Sequence, residues 1–535
     1  MLGNEFKTVA VRRFAMPVAA VASAVLMLAG CGDKSAPPGI TTVAKVEKCA
    51  AGNRPEAALQ GQVPAALRAA GFDGFNCNLD LIGQAKGEGA GFSFAAFTDS
   101  AGRTCAYVST TYPFDDQGKP IKGRKSKGVP VIDVTDPAKP VQTDILTTRP
   151  MLDPWESLRV NEQRQVLMAA AGRKGGGGPE VDFYDLSQDC RHPQLLFSGP
   201  VGTGADGGLK LDPNPLGHEG NFAPDGRTLY LGDSKQKKYY AIDISDLRKP
   251  KMMARFDPTT TTLGGGAHGL SISEDGNRAY FVSNGRMKAE DVGNPNAKVN
   301  NGFFVIDTSG IQSRKPNPTF KVLSQVPIRQ GSAAQHTIPI KVAGKPYLVH
   351  VDEAAAGSFE AACAAGSSPF AMARLFAIGD ERRPKLVSEI VSEVNDPANC
   401  DKVAPDVTNL IFNYGTHYCS VDNRLNATVL ACSTFNSGIR VYDIRKPDAP
   451  REIAYYNPVG SRTLSMASAH AFGVAPYWKD QWSPGGPDWC SASLYFDFAK
   501  RLLITSCQDN GLLVMRFAKG VWPMAESTPA KGLTN

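Results

Sequence analysis

The sequence predicts an all-β fold, a seven-bladed β-propeller closed by an N-terminal strand and carried behind an export segment and a short tether. Three observations predict it: a strand motif that recurs seven times, five copies of it ending in aspartate, a lone strand segment ahead of the first repeat, and a basic-then-apolar start that ends in cysteine.

The chain opens with Lys7, Arg12 and Arg13, followed by an uncharged, largely apolar run at 14–29. That run is shorter than the ~20 residues a membrane-spanning helix needs, and it suits the apolar core of a secretory signal. It ends Leu28-Ala29-Gly30-Cys31, which resembles the lipobox of bacterial lipoproteins. The resemblance implies a signal peptide at 1–30 and a diacylglycerol and palmitate anchor on Cys31. One acyl chain alone holds a protein only marginally, whereas several make a stable anchor. Gly32, not aspartate, follows the cysteine, which by resemblance to enterobacterial sorting favours the outer membrane. Residues 31–48, rich in Gly, Pro and Ser at their start, read as a tether.

The repeat is clearest at Val131-Ile132-Asp133-Val134-Thr135-Asp136-Pro137-Ala138-Lys139-Pro140. It returns at Phe183-Tyr184-Asp185-Leu186, Ala241-Ile242-Asp243-Ile244, Val305-Ile306-Asp307-Thr308 and Val441-Tyr442-Asp443-Ile444. Degenerate copies stand at Phe376-Ala377-Ile378-Gly379-Asp380 and Leu513-Val514-Met515-Arg516-Phe517. β-branched and aromatic residues favour the pleated sheet. The aspartate can bond the backbone of the turn that follows, and the prolines stop the ladder. Turn signals such as Pro224-Asp225-Gly226 and Glu274-Asp275-Gly276 lie upstream of further strands. About four strands per unit, repeated around a ring, is the propeller pattern. The last unit lacks a fourth strand, and residues 78–83 resemble the fourth-strand segments, so this early strand is expected to complete it. The predicted organisation is a 49–76 extension, a 77–520 propeller and a 521–535 tail.

The repeat resembles that of the LVIVD-repeat proteins of bacteria. Leu59-Gln60-Gly61-Gln62-Val63-Pro64, Cys77-Asn78-Leu79 and Met151-Leu152-Asp153-Pro154-Trp155-Glu156-Ser157-Leu158 resemble a secreted subgroup of them. The resemblance spans about residues 49–517 and implies the fold; it implies no particular reaction.

Eleven cysteines become ten if Cys31 is acylated. An even number in an exported chain reads as disulfides. Cys419 and Cys432 flank one turn and Cys490 and Cys507 another, each pair placed to face across adjacent strands. Cys363 and Cys400 bracket an insertion and form a third expected pair. The partners of Cys49, Cys77, Cys105 and Cys190 stay open. The formal charge is +6 overall and +2 over residues 1–30, leaving +4. So small and evenly spread a charge excludes nucleic acid as the expected partner.

Histidines supply the candidate site. His218, His268, His336 and His417 stand where their units' first strands begin, and His470 precedes the last unit. Equivalent positions in a ring face one another, so these imidazoles are expected to converge as ligands for a transition metal, copper or zinc. Trp155 holds the matching place in the second unit. Glu156 and Glu219 are candidate bases or partners of the ligands. His192 and His350 fall elsewhere and read as structural. Asp352-Glu353 and Asp380-Glu381 read as turn acids, and residues 175–178 as a glycine-rich hairpin tip. Two functions follow: a monomeric envelope module binding a protein or glycan on one face, or a metal-dependent oxidoreductase or hydrolase at the histidine rim.

Overall fold

The computed structural model describes residues 43–70, 72–110, 128–171, 180–202, 217–407, 412–460, 488–525 and 527. The predicted signal peptide, Cys31, residues 175–178 and His470 lie outside the described residues.

Seven sheets follow one another along the chain, each built on four antiparallel strands. Blade 1 runs from Phe94–Thr98 through Thr104–Val108 and Val129–Asp133 to Val141–Leu146. The first strands of blades 2 to 7 are Arg159–Asn161, Glu219–Phe222, Leu270–Ile272, Ser332–Val342, Tyr418–Val421 and Tyr495–Asp497. First strands of successive blades touch from blade 1 through blade 6, so these strands line the central channel.

The seven motif copies are the third strands: Val129–Asp133, Glu180–Asp185, Lys238–Asp243, Gly302–Asp307, Ala373–Ala377, Ile439–Asp443 and Gly511–Phe517. In five of them the aspartate takes the backbone N–H two residues on: Asp133 from Thr135, Asp185 from Ser187, Asp243 from Ser245, Asp307 from Ser309 and Asp443 from Arg445, at 2.8–3.1 Å. A bulge interrupts the pairing of third and fourth strands in every blade, at Val131/Ile132 and its equivalents and at Leu81/Gly83 in the last. Bulges sharpen strand twist, and a recurrent one gives each blade the same strong twist.

Because successive side chains of a strand point to opposite faces, a blade packed on both faces must be apolar at consecutive positions. Thr104–Val108, Val166–Ala170 and Val429–Ser433 are buried at every residue. Each inter-blade gap holds its own core. Tyr107 and Val131 of blade 1 pack with Leu167 and Tyr184 of blade 2, and Tyr239 of blade 3 with Phe281 and Phe304 of blade 4. The seventh gap closes the ring: Leu502, Ile504 and Val514 of blade 7 pack with Phe94, Ala106 and Val108 of blade 1. The expected closing strand is Leu79–Ala85, antiparallel to Gly511–Phe517.

Lys45–Val46 of the predicted tether add a parallel strand to the outer edge of blade 6, and Phe75–Cys77 pair with the same strand, Arg451–Asn457. Trp522, at the start of the predicted tail, is buried against Phe496, Phe498 and Phe517. Five disulfides form: Cys363–Cys400, Cys419–Cys432 and Cys490–Cys507, with Cys49–Cys77 and Cys105–Cys190 supplying the four partners left open.

Candidate metal centre at the channel rim

His218 and His417 immediately precede the first strands of blades 3 and 6, His268 stands just ahead of that of blade 4, and Glu156 just ahead of that of blade 2. All first strands run the same way down the channel, so these side chains meet at one rim. Glu156 Oε2 lies 3.2 Å from His218 Nε2 and 3.9 Å from His268 Nε2. The donor atoms of Glu156, His218 and His268 all fall within 4.8 Å of one another, and the two imidazoles stand 4.0 Å apart centre to centre.

The second nitrogen of each ring fixes which nitrogen faces the group. His268 Nδ1 meets the Gln335 carbonyl oxygen at 3.2 Å, so it carries the proton and Nε2 presents its lone pair. His218 Nε2 accepts from Trp155 Nε1 at 3.1 Å, and Nδ1 pairs with Ser234 Oγ at 2.8 Å. The His268 Nε2 lone pair, the Trp155-bonded His218 Nε2 and a Glu156 carboxylate oxygen therefore converge. Bonds of about 2.0–2.2 Å to one ion place two donors at most about 4.4 Å apart, a span that the measured 3.2 and 3.9 Å satisfy.

His417 serves a different end. Its Nδ1 bonds the Ser491 carbonyl, and its Nε2 lies 3.4 Å from Glu156 Oε1 and 3.5 Å from Glu353 Oε2. Burial opposes its charge, but the hydrogen bonds to Glu156 and Glu353 prevail and push it up to about 10. It is an imidazolium at neutral pH and steadies the far oxygen of Glu156. Burial acts to raise the Glu156 carboxyl, yet the histidines around it, His218 first and the charged His417 with it, hold it well below the usual carboxylate range. Burial, with His218 alongside, pulls His268 down to about 4 and keeps it neutral. A neutral ring is the form a metal needs.

Of the five expected histidines, His218 and His268 are brought together with Glu156 among the described residues, and His470 lies outside them. His336 is turned away. It lies inside Ser332–Val342, past a bulge between Ala334 and His336, and its Nε2 accepts the Cys419 backbone N–H at 3.3 Å. The bulge hands the rim position to Gln335, whose side chain donates to Glu156 Oε2 at 2.9 Å. Glu219, a candidate base, faces the channel interior instead: Arg159 lies 3.1 Å from one oxygen and the Tyr418 hydroxyl donates to the other at 2.8 Å. Burial and the charge of Glu156 outweigh Arg159 and push Glu219 up to about 7.

Asp352 and Glu353 are not turn acids. They lie in the long strand Lys345–Ala354, where Asp352 is fully buried against Arg374 and Asn301 while Glu353 reaches His417. His192 is surface-exposed and His350 is buried beside Phe303, both away from the rim. Close packing also explains the glycine after His268. A Cβ on Gly269 would sit 2.0 Å from the Gln335 carbonyl oxygen and 2.3 Å from Glu219 Oε2.

No protein-family model matches the chain, and no curated protein matches it by sequence. Solved structures similar to it include two proteins provisionally named 6-phosphogluconolactonases. The one from Bacteroides fragilis has a TM-score of 0.48 and 9% identity, covering 81% of this chain and 93% of its own. The one from Bacteroides uniformis has a TM-score of 0.47 and 11% identity, covering 81% and 94%. The β-propeller domain of Cps50 (Swd1) from Myceliophteria thermophila has a TM-score of 0.42 and 10% identity, covering 80% and 98%. The class is set by the chain's own seven sheets: this is a seven-bladed β-propeller.

Proposed function

We propose that this chain is an exported, lipid-anchored propeller of the LVIVD-repeat type that holds one divalent transition-metal ion on His218, His268 and Glu156 and acts as a metal-dependent oxidoreductase or hydrolase. The observation that carries the reading is the convergence of His218 Nε2, His268 Nε2 and a Glu156 carboxylate oxygen within 4.8 Å of one another at a largely buried rim. Three protein ligands from two histidines and one carboxylate leave open positions for water or substrate. Such an ion supplies Lewis acidity or redox chemistry. Gln335 and His417 hold Glu156 in orientation, as outer partners of metal ligands do.

Purification without a chelating tag, followed by elemental analysis, tests this. About one zinc, copper or iron per chain is expected, falling at least tenfold in occupancy in His268→Ala. No stoichiometric ion after reconstitution with all three would contradict it. The anchor has its own test: Cys31→Ser abolishes acylation and membrane retention, and continued palmitate labelling of that variant would contradict it.

One observation supports a ligand-binding role as a second reading. Along the first strands of blades 7, 1 and 2 lies a cavity of about 710 Å³, lined by Phe97, Arg159, Glu162, Tyr495 and Lys500 among others. That size suits a small organic molecule.

A further inference from the structure

The atom that orients His417 stands outside any regular sheet. Blade 7 begins its first strand only at Tyr495, so the Ser491 carbonyl that bonds His417 Nδ1 has no strand of its own to fix it. A covalent link does so. Cys490, the preceding residue, is bonded to Cys507 at the end of strand Leu502–Cys507. Cys490 also exchanges two backbone hydrogen bonds with Phe435 of blade 6, at 2.9 and 3.2 Å. The Phe435 ring in turn packs 5.0 Å from the His417 ring. Gln508 completes the clamp: its side chain donates to Ser491 Oγ at 3.1 Å and its backbone N–H to the Trp489 carbonyl at 2.8 Å.

The other rim histidines have different supports. His268 leans on the Gln335 carbonyl within the continuous strand Ser332–Val342, and His218 on the side chain of Ser234. Only at His417 does the supporting carbonyl come from a segment ahead of a strand, and there a disulfide pins it.

We propose that Cys490 and Cys507 are positioning residues of the metal centre: their disulfide fixes the Ser491 carbonyl, which aims His417 at Glu156. This rests on the metal-centre reading. Without the bridge the ring loses its fixed acceptor, Glu156 loses the partner at its far oxygen, and the metal loses an oriented ligand. Losing an outer partner of this kind costs about 10–100-fold in metal affinity.

The test uses the full chain and cobalt(II) as probe. Cys490→Ala/Cys507→Ala should bind cobalt(II) about 10–100-fold more weakly than wild type while keeping a cooperative melt. Cys105→Ala/Cys190→Ala, which removes a bridge remote from the rim, should bind as wild type does. Nitrogen-15 NMR of the imidazoles should show the slowly exchanging His417 Nδ1–H in wild type and lose it in the first variant only. Equal cobalt affinities for both paired variants, or an unchanged His417 signal, would overturn the proposal. If wild type takes up no cobalt(II), zinc or iron, the metal reading falls and the NMR signal alone decides the positioning claim. If the first variant does not fold, Gln508→Ala decides: weaker cobalt binding with the disulfide intact supports the clamp, and unaltered binding contradicts it.

Discussion

The turns after the third strands and the starts of the first strands are both repeated features of this ring, and they behave in opposite ways. After the third strands the same aspartate makes the same bond to the backbone two residues on, in five blades. At the first strands the rim residue varies: Trp155 with Glu156 beside it, then His218, His268, Gln335 displacing His336, and His417, each histidine with a different partner on its second nitrogen. Uniform repetition marks what every blade needs in order to fold. Departure from it marks the rim where the proposed metal centre lies.

The sharpest way to break the first region is to open the ring. Deleting residues 79–85 removes the fourth strand of blade 7 and exposes its edge, and it should abolish the single cooperative melt altogether. A melt unchanged in midpoint and sharpness would contradict closure by that strand. Next comes Glu156→Gln at the rim. This leaves the buried His417 imidazolium with Glu353 alone, and breaking one side of a buried ion pair costs about 3–5 kcal/mol. Urea unfolding of the metal-free protein should show it, and a loss below about 1 kcal/mol would mean that Glu156 is not the charge at the centre.

A comparable but pH-dependent effect is expected at His350. Burial, against the pull of Asp352, lowers it to about 4 in the folded chain, while an unfolded histidine titrates near 6.5. The unfolded state therefore binds the proton first, and stability falls as pH drops from about 6.5 to about 4, by on the order of 3 kcal/mol. His350→Leu should reduce that slope, the buried His268 and His336 keeping the remainder, and an identical slope in the variant would contradict the assignment. Smallest is a single turn: Asp243→Ala removes one exposed hydrogen bond, worth about 1 kcal/mol, and should leave metal content untouched.

The architecture was legible because its signals are local. A strand of Val, Ile and Tyr, an aspartate and a proline act within a few residues, and the closing strand could be inferred from the piece missing at the end of the last unit. The bulges were not legible, since they arise from how the third strand meets the fourth and leave no composition behind. The same limit governs the site. Spacing placed His218, His268 and His417 at one rim, but the bulge at Ala334/His336 reversed the roles of Gln335 and His336. The long hairpin of Ser332–Val342 and Lys345–Ala354 carried Glu353 to His417, where short strands had been expected and a turn acid read. Glu156 offered only a weak signal, its place next to the tryptophan that fills a histidine position. Which nitrogen of each ring faces inward depended on Ser234, Gln335 and Ser491, distant partners that no spacing reveals.

The central claim is that one ion sits among His218, His268 and Glu156, and X-ray absorption of the metal-loaded protein tests it most directly. The account predicts two imidazole nitrogens near 2.0–2.1 Å and a carboxylate oxygen near 2.0–2.2 Å, with one imidazole lost in His218→Ala and none lost in His336→Ala. A sphere with three or more imidazoles, or one that loses a ligand only in His336→Ala, would contradict it.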